Sequence, residues 1–260
     1  MPSDTLLLEY DGPVAIMSNN RPDKHNAAND EMDARLWEIL AELRERPEVR
    51  SIVWRANGKS WSSGRDVGQI GVRTEDISNL DFIERGHSGT MDFFRLQAPI
   101  VCALKGWVIG GSFERALLCD LRVAAESTRF MLPEVKHGVI TDTGGMARLF
   151  QMAGHGVAMD LILTGRTMHA DEALRHGIVS RVVPDDEIDS TALEIAREIA
   201  QAPAFTVKMA RRNMDLLASD EVIRSIREEA TTQTLTFASD DYAEMKEARA
   251  AGREPKYRRR

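Results

Sequence analysis

Cysteine is almost absent: Cys102 and Cys119 are the only two, and each sits inside an apolar segment. That excludes a disulfide framework, suits a reducing compartment, and makes a cytoplasmic location the expectation, with both thiols acting as small buried hydrophobes. Metal-ligand spacing is missing as well. There is no His-Glu-x-x-His and no Cys-x-x-Cys, and His25, His87, His137, His155, His169 and His176 do not gather with other ligand types, so no metal is expected and these histidines read as surface or packing residues. No window approaches the roughly 18 apolar residues of a spanning helix, and the N-terminus carries no basic stretch ahead of an apolar one. Positive charge is in deficit, 34 Lys and Arg against 41 Asp and Glu, for a net charge of -7. Such a surface repels phosphate backbones and anionic lipid, so neither nucleic acid nor membrane is an expected partner. The run Tyr257-Arg258-Arg259-Arg260 reads most simply as a frayed basic end.

What is present is a chain of 260 residues with 43% hydrophobic content, enough for a full core in one domain or one domain with an appendage. Thr5 to Ser18 reads as two strands around Asp11-Gly12-Pro13. From Asn29, Met32, Leu36, Ile39, Leu40 and Leu43 recur at helical spacing until Pro47, and Ser51 to Ala56 follows as a buried strand. Thr74 to Leu96 reads as a mobile loop leading into a helix around Met91, Phe94 and Leu96. Strands are predicted at Ile100–Leu104 and Leu121–Ala125, with helices after Gly110-Gly111 and after Gly144-Gly145. This alternation argues α/β. After Pro184 the composition becomes rich in Glu, Arg and Ala, and Ala192 to Arg253 reads as a helical region interrupted near Ala202-Pro203.

Three glycine clusters, at Gly64, Gly110-Gly111 and Gly144-Gly145, stand between strand-like and helix-like runs, where backbone can approach a ligand and amides can point outward. None forms a phosphate-cradling loop or a dinucleotide fingerprint, and Gly-Gly-Ser112-Phe-Glu is not a serine-nucleophile elbow. Glu114 lies among Phe113, Ala116, Leu117 and Leu118, and Glu134 between Leu132-Pro133 and Val135. A carboxylate in apolar company has a raised pKa and can exchange protons near neutrality. The alternative is that each is solvated or paired with its neighbour, Arg115 or Lys136.

Taken together, Trp61-Ser-Ser-Gly-Arg-Asp66, Gly106-Trp-Val-Ile-Gly-Gly-Ser-Phe-Glu114, Cys119-Asp-Leu-Arg122 and Leu132-Pro-Glu-Val-Lys-His-Gly138 resemble the signature segments of the enoyl-CoA hydratase/isomerase (crotonase) superfamily. Flanking segments extend the resemblance over nearly the whole chain: Asn20-Arg-Pro-Asp-Lys-His-Asn26, Leu163-Thr-Gly-Arg166, Ala170-Asp-Glu-Ala-Leu-Arg-His-Gly-Ile-Val179 and Phe237-Ala-Ser-Asp240. The resemblance implies an α/β spiral of repeated ββα units over residues 1–191. It implies a helical C-terminal region over 192–260 that packs homotrimers, often paired as hexamers. It implies an acyl-CoA substrate, with coenzyme A entering as part of that substrate and no separate cofactor. The thioester oxygen would sit between the backbone N–H groups of Arg65 and Gly111. Lys24, Ser62, Ser63, Gly64 and Asp66 would meet coenzyme A, and Glu114 and Glu134 would hold the water and deliver the proton.

Two segments depart from the family pattern. Where common hydratases carry Pro-Gly-Ala-Gly-Gly, this chain has Thr141-Asp142-Thr143-Gly144-Gly145. Members with an acid there include dienoyl-CoA isomerases, the epoxyphenylacetyl-CoA isomerase group and carnitinyl-CoA dehydratase-like enzymes. The last group also keeps both glutamates and a pair like Phe113-Glu114. Asp142 is thus a second acid/base for double-bond migration, a hydrogen-bonding group for a polar acyl chain, or a helix N-cap before Gly144. At the C-terminus Ala251-Gly252-Arg253 replaces the usual Glu-Lys-Arg, which alters the expected docking of the coenzyme A phosphates. An RNA-binding member and a non-catalytic subunit are readings from other classes; the acidic charge opposes the first and the retained Glu114, Glu134 and Gly111 oppose the second.

Overall fold

The computed structural model describes residues 4–70, 72 and 76–258. Strand β1 (Leu6–Asp11) turns through Gly12 and Pro13 into β2 (Val14–Asn19), antiparallel with Asp11 opposite Val14. From β2 onward the main sheet is parallel, in the order β1-β2-β3-β4-β6-β9, with β3 at Ser51–Ala56, β4 at Ile100–Leu104, β6 at Leu121–Ala125 and β9 at Arg181–Val183. Strands β3, β4 and β6 are almost continuously buried and rich in Ile, Val and Ala, as parallel strands covered on both faces must be.

A second, smaller layer holds β5 (Trp107–Ile109), β7 (Arg129–Met131) and β8 (Met168–His169). Single parallel bridges Ser62–Val108 and Ala28–Arg65 continue it toward the first two turns of the chain. Each turn of the spiral therefore gives one strand to the main sheet, one short extended piece to the second layer, and then a helix: α1 (Asp30–Arg44), α2 (Asn79–Thr90), α4 (Gly110–Leu118) and α5 (Gly145–Thr164). Between α2 and β4 runs the short α3 (Asp92–Arg95), and α6 (Ala170–Arg175) follows β8. The largest apolar core lies among these layers, including Trp54, Trp61, Phe93, Phe113 and Phe130.

The opposite face of the main sheet is covered by α7 (Ile188–Gln201), whose Ile188, Ala192, Ile195 and Ala196 pack on Val53, Val101 and Val123. The expected boundary at 191/192 falls inside this helix. Helices α8 (Ala204–Phe237) and α9 (Asp240–Ala250) complete the chain's helical region, broken at Ala202-Pro203 as predicted.

Two expectations need correcting. The segment read as a loop up to Met91 is already helical from Asn79, because Ser78 accepts a hydrogen bond from the Asp81 amide and starts α2 there. Gly86 and Gly89 mask the helix in the sequence, although a side-chain carbon at Gly89 would lie 2.4 Å from the Trp37 ring of α1. The residues 71 and 73–75 of that expected loop lie outside the described residues. In addition, α5 is two helical pieces joined at Gly154, with φ 78° and ψ 169°.

Candidate active site

The loop Ser60–Asp66 is fixed from below by Asn26, fully buried in a left-handed conformation, φ 55°. Its Nδ2 donates to the carbonyls of Asn57 and Ser60 at 2.8 and 2.7 Å, and its Oδ1 accepts from the Arg21 amide at 2.6 Å. Backbone bonds from Ser63 to His25, Ala28 to Gly64 and Asp66 to Ala28 stitch the loop to the same turn. Gly64 has φ 88°, and a Cβ there would lie 2.9 Å from the Ile109 carbonyl oxygen. Glycine is needed at that point for the loop to reach the start of α4.

Between this loop, α1, α2 and the start of α4 lies a cavity of about 520 Å³. Ser63, Gly64, Arg65, Gly111, Glu114, Glu134 and Asp142 all line it. No side chain caps α4, so its first-turn amides, Gly111 included, keep the positive end of the helix at the cavity wall. Of the other residues expected to meet coenzyme A, Lys24 is exposed at the end of a short 3₁₀ turn. Ser62 is buried behind the wall, donating to the Asn26 carbonyl and sharing a 2.8 Å hydrogen bond with Ser112. Asp66 accepts from the Gly68 amide and pairs with Arg21 at 3.6 Å.

Glu114 is 1% exposed. Neighbouring Arg115 turns the other way, bonding Asp33 at 2.6 Å, while Lys136 Nζ donates to the Gly165 carbonyl. Pairing of each glutamate with its sequence neighbour is thereby overturned. Glu114 Oε2 instead accepts from the amides of Thr143 and Gly145 at 2.7 and 2.9 Å, and Oε1 from Asp142 at 3.3 Å. Burial first, then the negative charges of Glu134, Asp142 and Glu229, push its pKa well above the usual carboxylate range, against the pull of the Thr143 amide. A Cβ on Gly145 would sit 2.4 Å from Glu114 Cγ, which explains that glycine.

Glu134 starts a 3₁₀ turn after Pro133. Its Oε1 packs close enough to Gly110 that a Cβ there would stand 2.8 Å away, and its Oε2 is buried without a hydrogen-bond partner among the described residues. Burial raises its pKa to about 7, with Asp142 adding to the shift. Asp142 reaches about 7 too, through burial and the Glu229 charge, opposed by Arg115. Asp142 does not cap a helix: the N-cap of α5 is Gly144, φ 84°, and no side chain bonds there. The capping reading fails because the chain must pass through a left-handed turn to bring three amides onto Glu114.

Several contributors are invisible in the local sequence. His87 of α2 is buried in the cavity wall, with a ring nitrogen bonded to the Asp142 backbone, and burial holds its pKa below the ordinary value. Asp33 bridges Arg65 and Arg115 at 2.9 and 2.6 Å, and Arg65 also pairs with Asp30. The guanidinium of Arg115 stacks 5.1 Å from the Trp37 ring. From α8, Glu229 Oε2 accepts from the Gly144 amide and Gln233 Oε1 from the Ile140 amide, each at 2.8 Å. Nothing in the local sequence marks Glu229 or Gln233; only the packing of α8 against the loop 140–145 buries them.

Such an arrangement can polarise a carbonyl oxygen at the wall formed by Arg65 and α4, and can give and take protons at carboxyl groups balanced near neutral pH. No group of three or more side chains suited to hold a metal occurs among the described residues. No helix among them is long and apolar enough to cross a membrane.

Residues 9–260 match the family model described as enoyl-CoA hydratase/isomerase. A probable enoyl-CoA hydratase of Mycobacterium bovis is 33% identical over the full length of both chains. A carnitinyl-CoA dehydratase of Salmonella arizonae is 32% identical, covering 98% of this chain and 99% of its own. Among solved structures, the carnitinyl-CoA hydratase of Mycobacterium avium superposes with a TM-score of 0.86 at 33% identity, covering 99% of this chain and all of that one. With the ββα spiral, the signature loops and this full-length likeness in agreement, the chain belongs to the enoyl-CoA hydratase/isomerase (crotonase) superfamily.

Proposed function

We propose that the protein is an enoyl-CoA hydratase, adding water reversibly across the 2,3 double bond of an enoyl-CoA thioester. The observation that carries this reading is the meeting of Glu114 and Glu134 in one cavity whose wall includes the start of α4. The thioester oxygen sits between the amides of Arg65 and Gly111, which stabilise the enolate-like charge as it develops. Loss of one such donor costs about 3–4 kcal/mol of barrier lowering. Glu114, ionised, takes a proton from water as its oxygen bonds to Cβ; Glu134, protonated, delivers a proton to Cα. The elements of one water are added, and each carboxyl is restored by proton exchange when the product leaves. A Glu134 pKa of about 7 supports the role, since the acid form is then populated at neutral pH.

Coenzyme A takes part only as the substrate's thioester arm, running past Ser63 and Gly64 toward Lys24 and Asp66, while Ser62 supports that loop from behind. Exposed apolar residues on α8, among them Phe205, Leu216 and Leu217, support assembly as a trimer or a dimer of trimers.

The test is incubation with crotonyl-CoA in heavy-oxygen water and mass spectrometry of the product. Incorporation of one solvent oxygen, falling at least about 100-fold in Glu134→Gln, is the expected result; absence of incorporation with every enoyl-CoA tested refutes the reading. A second reading, isomerisation with Glu134 and Asp142 passing the proton between carbons, draws on one observation: both acids have pKa values of about 7 in the same cavity. It predicts an unchanged substrate mass. The dehydratase direction, favoured by the carnitinyl-CoA relatives, predicts loss of water from a 3-hydroxyacyl-CoA.

A further inference from the structure

Glu229 lies in the last third of α8, yet the residue is 3% exposed and its side chain is turned toward the loop 140–145 instead of solvent. Both of its oxygens accept hydrogen bonds: Oε2 from the Gly144 amide at 2.8 Å, Oε1 from the Ser225 hydroxyl one helical turn earlier at 2.6 Å. Both hydrogen bonds favour the carboxylate, while burial pulls the other way and leaves the Glu229 pKa above its ordinary value. The amides on either side of Gly144, those of Thr143 and Gly145, are the two that hold Glu114 Oε2. One short backbone segment thus carries alternate amides to two buried carboxylates, Glu114 on one side and Glu229 on the other.

We propose that Glu229 is a positioning residue: it grips Gly144 so that the flanking amides seat Glu114, and its buried charge tunes how tightly the carboxyl cluster holds protons. This rests on the hydratase reading only for what the cluster does in turnover, not for the geometry. The charged groups that feel Glu229 are Glu114 of α4 and Asp142 of the loop 140–145; beyond them, Glu134 acts on Glu114, Arg115 on Asp142, and His87 of α2 contacts the Asp142 backbone. None of the three carboxyls gains from another negative charge when ionised, and Glu229 raises both Glu114 and Asp142. Removing the Glu229 charge while keeping an acceptor for Gly144 should therefore let both ionise more easily.

The test compares Glu229→Gln, Glu229→Leu and Ser225→Ala by two readouts. Carbon-13 NMR titration of glutamate-labelled protein, with Glu114→Gln for assignment, follows the Glu114 carboxyl without substrate. Glu229→Gln should move that titration, and the acid limb of the kcat/KM profile, down by about one pH unit, as expected for loss of a charge at this range in a partly shielded interior. Glu229→Leu should lower kcat at least about ten-fold, since Gly144 loses its acceptor and the amides on Glu114 are released. Ser225→Ala should shift the titration in the same sense but by less, because Glu229 then holds its own proton more readily and repels the Glu114 charge less. A Glu114 titration that superposes on the native one in Glu229→Gln, or a kcat in Glu229→Leu within two-fold of native, would overturn the proposal. If the titration shifts but no enoyl-CoA is hydrated, the hydratase reading falls and the positioning role stands.

Discussion

Carboxyl groups that bind protons more tightly in the folded chain than in the unfolded one make stability depend on pH in a definite direction. Glu134 and Asp142 rise from 4.5 and 3.8 to about 7, and burial raises Glu114 in the same direction. Their native forms retain protons that the unfolded chain has already released, so their contribution is fully present below the ordinary carboxylate range and is lost as pH rises through about 7. Ion-paired carboxylates such as Glu172 and Glu244 are shifted the other way and lose their contribution only in stronger acid. Melting temperature should accordingly fall between about pH 5 and about pH 8, and the fall should be shallower in Glu134→Gln. A melting temperature that is flat across that window in the native protein would contradict the burial of these acids.

At this same scale, the sequence revealed part of the site and hid the rest. Glu114 and Glu134 stood out because a carboxylate amid Phe113, Leu117 and Leu132 is costly, and the structure brings both to the cavity. Asp142 was visible as a third acid, but its environment was not: the amides it travels with belong to Glu114, and the charge that raises its pKa comes from Glu229, 87 positions later in the chain. His87 carried no local sign, because only packing of α2 against the 140–145 loop puts its ring in the cavity wall.

Among elements, the longer strands and helices were legible, while the two- and three-residue strands β5, β7, β8 and β9 were not. The parallel strands are short apolar runs bounded by polar turns, and β1 and β2, α1, β3, β4 and β6 fall within a residue or two of where periodicity put them. Helix α2 was obscured by Gly86 and Gly89, of which Gly89 answers to a tertiary contact and not to local preference. Gly89 gives room to Trp37, whose ring also carries Arg115. Gly89→Ala improves intrinsic helix propensity but drives a methyl group to within 2.4 Å of the indole. Overpacking should win, with a net loss of about 1–3 kcal/mol in urea denaturation. A more stable variant would show that α1 and α2 separate freely at this crossing.

For the molecule as a whole, the α/β class was legible in the alternation of apolar strand-like runs with helical stretches, and the ββα spiral in the resemblance of the signature segments to the superfamily. What local sequence could not convey is that α8 returns from the far end of the chain to stand over the cavity, with Gln233 and Phe237 in its wall. Its outward side leaves Leu217 83% exposed, Phe205 73% and Leu235 67%. Cover by further copies of the chain is the proposed remedy, so Leu217→Lys should shift the species seen in light scattering toward monomer. A native protein that is already a monomer at micromolar concentration would refute the assembly proposed above.

The dependence of the cavity on α8 also sets an order of events during synthesis. Every strand and the loops bearing Arg65, Gly111, Glu114, Glu134 and Asp142 leave the ribosome before Glu229, Gln233 and Phe237 do. A nascent chain that has already built its sheet still lacks the carboxylate that grips Gly144, and so carries its acids in an unfinished setting. The Gly144 amide therefore gains its acceptor only once the long helix packs against the loop 140–145.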